Sequence, residues 1–169
     1  MKRRDFLGSA VMASVGVTVF SRTAFATTTL AGSTSGVTVE PLSALPNVTV
    51  YKSPTCGCCK EWIKYMEKSG WTLKVIDMDD LRPIKTASGV PTAMESCHTA
   101  LVGTYIVEGH VPSDLIQKML NEKPAIIGLS VPGMVEGPPG MEDGSGRKQP
   151  PYTVMAFAKG GKTSVYARR

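Results

Sequence analysis

Four cysteines are the residues of this chain whose type and spacing could do chemistry. Three of them, Cys56, Cys58 and Cys59, fall within four positions, and Cys97 lies much further along the chain beside His98. Soft thiolates concentrated at one point indicate either thiol redox chemistry or a site for a soft metal ion. The rest of the chain must therefore position these sulfurs.

The first alternative is a thiol–disulfide oxidoreductase. Cys56 and Cys59 have the Cys-x-x-Cys spacing in which the first thiol is the catalytic nucleophile and the second resolves the mixed disulfide. Cys58 lies between them and would compete as a second resolving thiol at each turnover. This third thiol therefore shifts the interpretation towards metal binding.

The second alternative is a metal site whose ligands are Cys56, Cys58, Cys59 and Cys97. Structural zinc usually draws its ligands as two separated pairs, which fits three clustered cysteines less well. Thiolates also select Cu(I), so Cu(I) is the expected ion. Zinc is the alternative ion, and with zinc the protein would be a zinc-stabilised interaction domain. A static arrangement remains open, in which one disulfide joins Cys56 to Cys59 and another joins Cys58 to Cys97.

Histidine and methionine side chains are weaker candidates for metal ligands. His98 could complete a ligand set, but neighbours on a strand point to opposite faces, which argues against His98 and Cys97 sharing one ion. His110 is expected at the surface, in the turn before a helix. Loop thioethers could assist Cu(I), although methionine is also a flexible core filler; these residues are Met94, Met134 and Met141.

A strand followed by a helix must position the cysteine cluster. The alternating, β-branched segment 47–51 predicts a strand, and the hydroxyls and proline of segment 53–55 predict the start of a helix. This helix would point Cys59 inward and place Cys56 at its first turn, where free backbone N–H groups favour a thiolate. Its apolar residues recur with helical spacing on one face: Cys59, Trp62, Ile63 and Met66.

The remaining elements complete a predicted α/β domain over residues 47–169. Their order is β-α-β-α-β-β-α, which is the thioredoxin layout when a cysteine cluster follows the first strand. An extension over residues 124–169 adds a Gly/Pro-rich loop and a β-hairpin whose turn contains Gly160 and Gly161. The predicted segments are strands at 71–77, 99–102 and 104–107, a helix at 84–88, a helix from Ser113, the loop at 128–151, and hairpin strands at 152–158 and 163–167.

The N-terminus has the pattern of an export signal. Residues 1–26 combine the arginine pair Arg3 and Arg4, a short apolar run and a small-x-small motif that ends at Ala26, which together predict a twin-arginine signal peptide cleaved after Ala26. Residues 27–46 are predicted to be a flexible linker. The mature protein is expected in the periplasm, without stable membrane insertion.

The balance of charge argues against a nucleic-acid partner. Four basic residues against one acidic residue in segment 1–26 account for +3 of the formal net charge of +5, which leaves +2 after cleavage. The chain has no run of basic residues interleaved with aromatics. The expected partners are instead copper ions and other periplasmic copper-handling proteins.

Several motifs together resemble the DUF411 family of small exported metal-binding proteins. The resemblance implies a thioredoxin-like fold, a copper site that uses Cys56, Cys58, Cys59 and Cys97, and a part in copper resistance. A suggested role of the family is the interconversion of Cu(I) and Cu(II), so the assignment as an enzyme stays open. The motifs are SPTCGCCKEW at 53–62, GVP at 89–91, SCHT at 96–99, YIVEGHVP at 105–112 and GLSVPGM at 128–134.

Overall fold

The computed structural model describes residues 45–169. The predicted signal peptide lies outside the described residues, and so does the predicted linker apart from its last two positions. Among residues 45–169, no helix combines the length and apolarity that a membrane crossing requires.

Seven strands form one mixed sheet in the described part of the chain, with three α-helices. The strands are β1 (Val48–Lys52), β2 (Leu73–Asp77), β3 (His98–Val102), β4 (Tyr105–Glu108), β5 (Gly128–Ser130), β6 (Thr153–Phe157) and β7 (Thr163–Arg168), and the helices are α1 (Gly57–Lys68), α2 (Arg82–Ala87) and α3 (Ser113–Glu122). The strand order is β2-β1-β3-β4-β5-β6-β7, in which only the β1–β2 and β4–β5 pairs are parallel. The predicted α/β class is confirmed.

Helix α1 buries the apolar face that the sequence predicts. Its buried residues are Cys59, Trp62, Ile63 and Met66. The start of the helix differs from the prediction, because Cys56 rather than a hydroxyl side chain is the N-cap residue. Its sulfur accepts a hydrogen bond from the backbone N–H of Cys59 at 3.4 Å, whereas the hydroxyl of Ser53 pairs with that of Thr55.

The β3–β4 hairpin and helix α3 also follow the predicted pattern. The hairpin turns at Gly103, which has a positive φ of 59°, and α3 buries Leu115, Ile116 and Met119. Ser113 begins α3 but does not cap it, since its hydroxyl instead accepts a hydrogen bond from the indole N–H of Trp71. The main apolar core joins α1 and α3 to the strands.

The C-terminal extension continues the sheet, which the sequence predicts only in part. Strands β6 and β7 form the predicted antiparallel hairpin. The first residues of the predicted Gly/Pro-rich loop are instead strand β5, which joins that hairpin to β4. Gly128 permits this pairing, because a Cβ atom there would lie 2.0 Å from the carbonyl oxygen of Ile106.

Candidate metal centre

The fold brings all four cysteines together at the start of α1. Cys56 caps the helix, Cys58 and Cys59 lie in its first turn, and Cys97 lies in the bend before β3. Strand β3 pairs with β1, so this bend lies beside the loop that leads into α1. The four sulfur atoms lie within 4.8 Å of one another and could hold a metal ion.

The four sulfurs are in two different covalent states. Cys56 and Cys59 are joined by a disulfide, and Cys58 and Cys97 are free thiols. The sulfurs of Cys56 and Cys58 are 3.5 Å apart. One bridge of the predicted two-disulfide alternative is therefore present and the other is not, so the static arrangement is wrong for this form of the protein.

The free thiol of Cys97 is held in its protonated form. Burial raises its pKa to about 12, and the neighbouring Cys58 adds to the shift through its charge and its hydrogen bond. Hydrogen bonds from Ser96 and from the backbone act in the opposite direction but are weaker. A metal ion that binds Cys97 must therefore displace a proton.

The folded protein is expected to protect Cys97 from alkylation. A pKa of about 12 leaves roughly one thiol in ten thousand ionised at pH 8, and only the thiolate reacts. We expect iodoacetamide to modify Cys97 at least about 100-fold more slowly in the folded protein than in urea. Peptide mapping by mass spectrometry measures both rates, and equal rates would contradict the protected thiol.

Both histidines of the chain lie beside Cys97, which corrects two predictions. His110 is buried rather than at the surface, with Nε2 at 3.0 Å from the sulfur of Cys97. His98 is fully buried, with Nδ1 at 3.3 Å from the same sulfur. Strand alternation does not separate Cys97 from His98, because β3 begins at His98 and Cys97 belongs to the preceding bend.

Burial keeps both imidazole rings neutral. It lowers the pKa of His98 well below its usual value, and the charges of His110 and Lys85 lower it further. Burial also lowers the pKa of His110, against the opposing effects of the Pro139 carbonyl and Glu142. Each ring therefore offers one nitrogen lone pair at neutral pH.

The loop methionines divide between the core and the surface. Met94 is buried in a small apolar cluster with Val90 and Phe157, as expected of a core filler. Met134 is 63% exposed. Met66, as its helical spacing predicts, lies in the main core, and so does Met119 of α3.

A buried ion pair holds the chain just before Cys97, and no local sequence pattern predicts it. Lys85 of α2 and Glu108 of β4 are both buried and form a salt bridge. Lys85 donates to the carbonyl oxygen of Ser96 at 2.9 Å, and Glu108 accepts the Ser96 N–H at 2.7 Å. Burial raises the pKa of Glu108, and Lys85 opposes that shift.

The loop after β5 contacts the site through its two Pro-Gly-Met segments. In the first, Gly133 accepts a hydrogen bond from the Ser96 hydroxyl at 2.6 Å. In the second, Gly140 lies so close to α1 that a Cβ atom would be 2.6 Å from the backbone nitrogen of Trp62. The neighbouring carbonyl of Pro139 accepts a hydrogen bond from Nδ1 of His110 at 2.8 Å.

Fold and site together define a mixed α/β protein with a cysteine cluster suited to a metal ion, and comparison with known proteins agrees. The family model described as "Protein of unknown function, DUF411" matches residues 94–141. The solved structure "Copper resistance protein copG- Form 2" is 40% identical, with a TM-score of 0.67, and the match covers 73% of this chain and 98% of that chain. The structure titled "Form 1" of the same protein is 39% identical, with a TM-score of 0.68 and coverage of 74% and 98%.

These matches show the family of the chain. The identity of 40% extends over nearly the whole length of the solved structure. No curated protein sequence matches this chain. The chain belongs to the DUF411 family, as its motifs predict.

Proposed function

We propose that this chain is an exported copper-binding protein that holds Cu(I) on four cysteine thiolates and contributes to copper resistance. The observation that carries the proposal is the convergence of four sulfur atoms within 4.8 Å, from two separate parts of the chain. Thiolates are soft ligands that select Cu(I) over hard cations. The titles of the two related structures name a copper resistance protein, which supports copper as the ion.

The disulfide supports a redox role for the same site. All four cysteines become available as thiols only after the bridge between Cys56 and Cys59 takes up two electrons and two protons, and the thiols lose their protons when they bind a metal ion. In the opposite direction, two Cu(II) ions can take these two electrons from the reduced thiols, and the products are then two Cu(I) ions, the Cys56–Cys59 disulfide and two protons. The site would thereby interconvert the two oxidation states of copper.

The proposal includes a thioredoxin-like fold and export to the periplasm. The strand order β2-β1-β3-β4, with β1 and β2 parallel and β3 and β4 antiparallel, supports the fold assignment. The arginine pair and cleavage motif in residues 1–26 support export through a twin-arginine signal. The twin-arginine route exports proteins that have already folded, which suits a protein that takes up its metal before export.

A second candidate function is thiol–disulfide exchange. The bridge between Cys56 and Cys59, at the N-terminus of α1, is the specific observation in its favour. In this function Cys56 is the nucleophile and Cys59 the resolving thiol, and Cys58 has no required part.

Anaerobic titration of the reduced protein with Cu(I), against a competing chelator, tests the first proposal. We expect Cys58→Ser to weaken Cu(I) binding by at least about tenfold, because it removes one soft ligand. Ser53→Ala is the matched control, since Ser53 lies near the cluster but contributes no sulfur, and it should bind Cu(I) as the unaltered protein does.

Three results would contradict the copper proposal. Unchanged Cu(I) binding in Cys58→Ser, together with insulin-disulfide reduction that requires only Cys56 and Cys59, would favour thiol–disulfide exchange. Zinc at one equivalent that resists exchange with Cu(I) would favour a zinc-stabilised domain. Failure of the reduced protein to bind Cu(I) would exclude the proposed site.

A further inference from the structure

The segment 131–141, called the strap below, runs from the bend before β3 to the first turn of α1. Near its start, the N–H of Gly133 donates to the carbonyl oxygen of Glu95 at 2.9 Å, and the Ser96 hydroxyl donates to the carbonyl oxygen of Gly133 at 2.6 Å. Near its end, Gly140 lies against α1, where a Cβ atom would be 3.1 Å from a backbone carbonyl oxygen of the first turn. The strap therefore contacts both segments that carry the cysteines.

The strap is held in place by several bonds at once. The N–H of Met141 donates to the carbonyl oxygen of Pro138 at 2.8 Å, and the N–H of Gly137 donates to that of Met141 at 3.2 Å. Pro138 is buried, and Pro138 and Pro139 both have a restricted backbone. The carbonyl oxygen of Pro139 also accepts the hydrogen bond from His110. The strap is therefore a fixed cover, because its displacement would break these contacts together.

The bend before β3 has no room for the backbone of a partner protein. An extended peptide binds beside a strand through main-chain hydrogen bonds, which need free N–H and carbonyl groups. In this bend, the N–H of Ser96 donates to Glu108, and its carbonyl oxygen accepts from Lys85. The carbonyl oxygen of Glu95 already accepts from the strap, and Gly133 forms a parallel β-bridge with Ser96. The strap therefore lies where such a peptide would pair.

The disulfide remains open to small molecules at Cys56. Cys59 is fully buried, whereas Cys56 is half-buried. The rate of thiol–disulfide exchange depends on which sulfur is attacked and on access to it. A small thiol needs only the exposed part of Cys56, whereas a protein thiol must also bring its own surface against the strap.

We propose that the strap restricts reduction of the bridge between Cys56 and Cys59 to small-molecule thiols and excludes protein thiols. The first small thiolate attacks the sulfur of Cys56, breaks the S–S bond and releases the thiolate of Cys59. A second small thiolate attacks the mixed disulfide, so two small thiols are oxidised to one disulfide and their two protons end on the two cysteines. The inference rests on the proposed function only because the reduced site is the one that binds Cu(I).

Reduction of the metal-free disulfide form by dithiothreitol and by a reduced thioredoxin tests the proposal. Mass spectrometry after alkylation counts the free cysteines at each time, with the two reductants at matched concentrations. We expect the rate constant for dithiothreitol to exceed that for thioredoxin at least about tenfold, because access limits the protein thiol. A smaller difference, or faster reduction by thioredoxin, would overturn the proposal.

Variants that loosen the strap should admit the protein thiol. Gly140→Ala places a Cβ atom against the backbone of α1, so it should raise the thioredoxin rate constant at least about tenfold and leave that for dithiothreitol within about threefold. Gly144→Ala is the matched control, since its Cβ atom meets open space, and it should change neither rate constant. Ser96→Ala removes the hydroxyl that holds Gly133 and should act in the same direction if Gly140→Ala does not fold. No rise in either loosened variant would overturn the proposal.

Cu(I) titration of the reduced protein separates this proposal from the copper proposal. Cu(I) binding together with rapid reduction of the bridge by thioredoxin would reject only the role of the strap. Selective reduction by dithiothreitol without Cu(I) binding would support the strap and reject only the four-thiolate function.

Discussion

Lys85→Met is expected to lower the free energy of unfolding by about 3–5 kcal/mol, because it leaves the charge of Glu108 buried without a counterion. Glu108 is fully buried, and Lys85 is its paired cation. Urea denaturation measures the effect, and the midpoint should fall while the slope of the transition is unchanged.

An exposed ion pair provides the matched control for this variant. Lys64 pairs with Glu61 on the surface of α1, where both side chains are more than half exposed. Lys64→Met should change the free energy of unfolding by less than about 1 kcal/mol, because exposed pairs contribute little. A loss of similar size in both variants would contradict the special role of the buried pair.

The loss of stability in Lys85→Met should grow as the pH rises. Burial already raises the pKa of Glu108, and removal of Lys85 removes the principal group that opposes this shift. A carboxyl group whose pKa is raised by folding stabilises the protein when it is protonated, and that stabilisation is lost as the pH rises through the folded-state pKa. Denaturation at pH 5 and pH 8 should therefore show the larger deficit at pH 8.

The same variant should disturb the metal centre. Lys85 and Glu108 hold the backbone of Ser96 from both sides, and Ser96 directly precedes Cys97. Loss of the pair would release the bend that places Cys97 beside the other sulfurs. We therefore expect weaker Cu(I) binding in Lys85→Met and unchanged binding in Lys64→Met.

Gly140→Ala is expected to lower the free energy of unfolding by about 1–3 kcal/mol more than Gly144→Ala. Both glycines have a positive φ, 81° and 68°, so alanine meets similar backbone strain at the two positions. Only at Gly140 would the new Cβ atom meet other atoms, with the nitrogen of Trp62 at 2.6 Å and the carbonyl oxygen of Cys58 at 3.1 Å. The difference between the variants therefore measures the contact of the loop with α1.

Displacement of this loop should also weaken the hydrogen bond that orients the ring of His110. Pro139 precedes Gly140 and accepts the hydrogen bond that orients His110. In ¹⁵N-histidine spectra, Gly140→Ala should speed the solvent exchange of the Nδ1 proton of His110, and Gly144→Ala should not. Equal exchange rates in the two variants would contradict a link between the loop and the ring.

The sequence predicts those parts of the fold that depend on local periodicity. The apolar spacing of α1 identifies its buried face, including Cys59, and Gly103 marks the turn between β3 and β4. Strand β5 is not predicted, because a strand of three residues is too short to show an alternating pattern. The need for glycine at position 128 comes from its close approach to the backbone of Ile106 in another strand, which no local pattern records. The hairpin after it was predicted, since its turn glycines and flanking strands are contiguous in sequence.

The sequence by itself determined the donor type of the site, because three clustered thiols and a distant fourth already indicate soft-metal or redox chemistry. Only the tertiary structure decided which other groups join them. His98 and His110 meet Cys97 because β3 begins at His98 and a distant loop carbonyl, that of Pro139, orients the second ring. The charges of Lys85 and Glu108 are buried because elements far apart in sequence enclose them. Such contacts between distant segments leave no periodic pattern in the sequence, so only the folded structure reveals them.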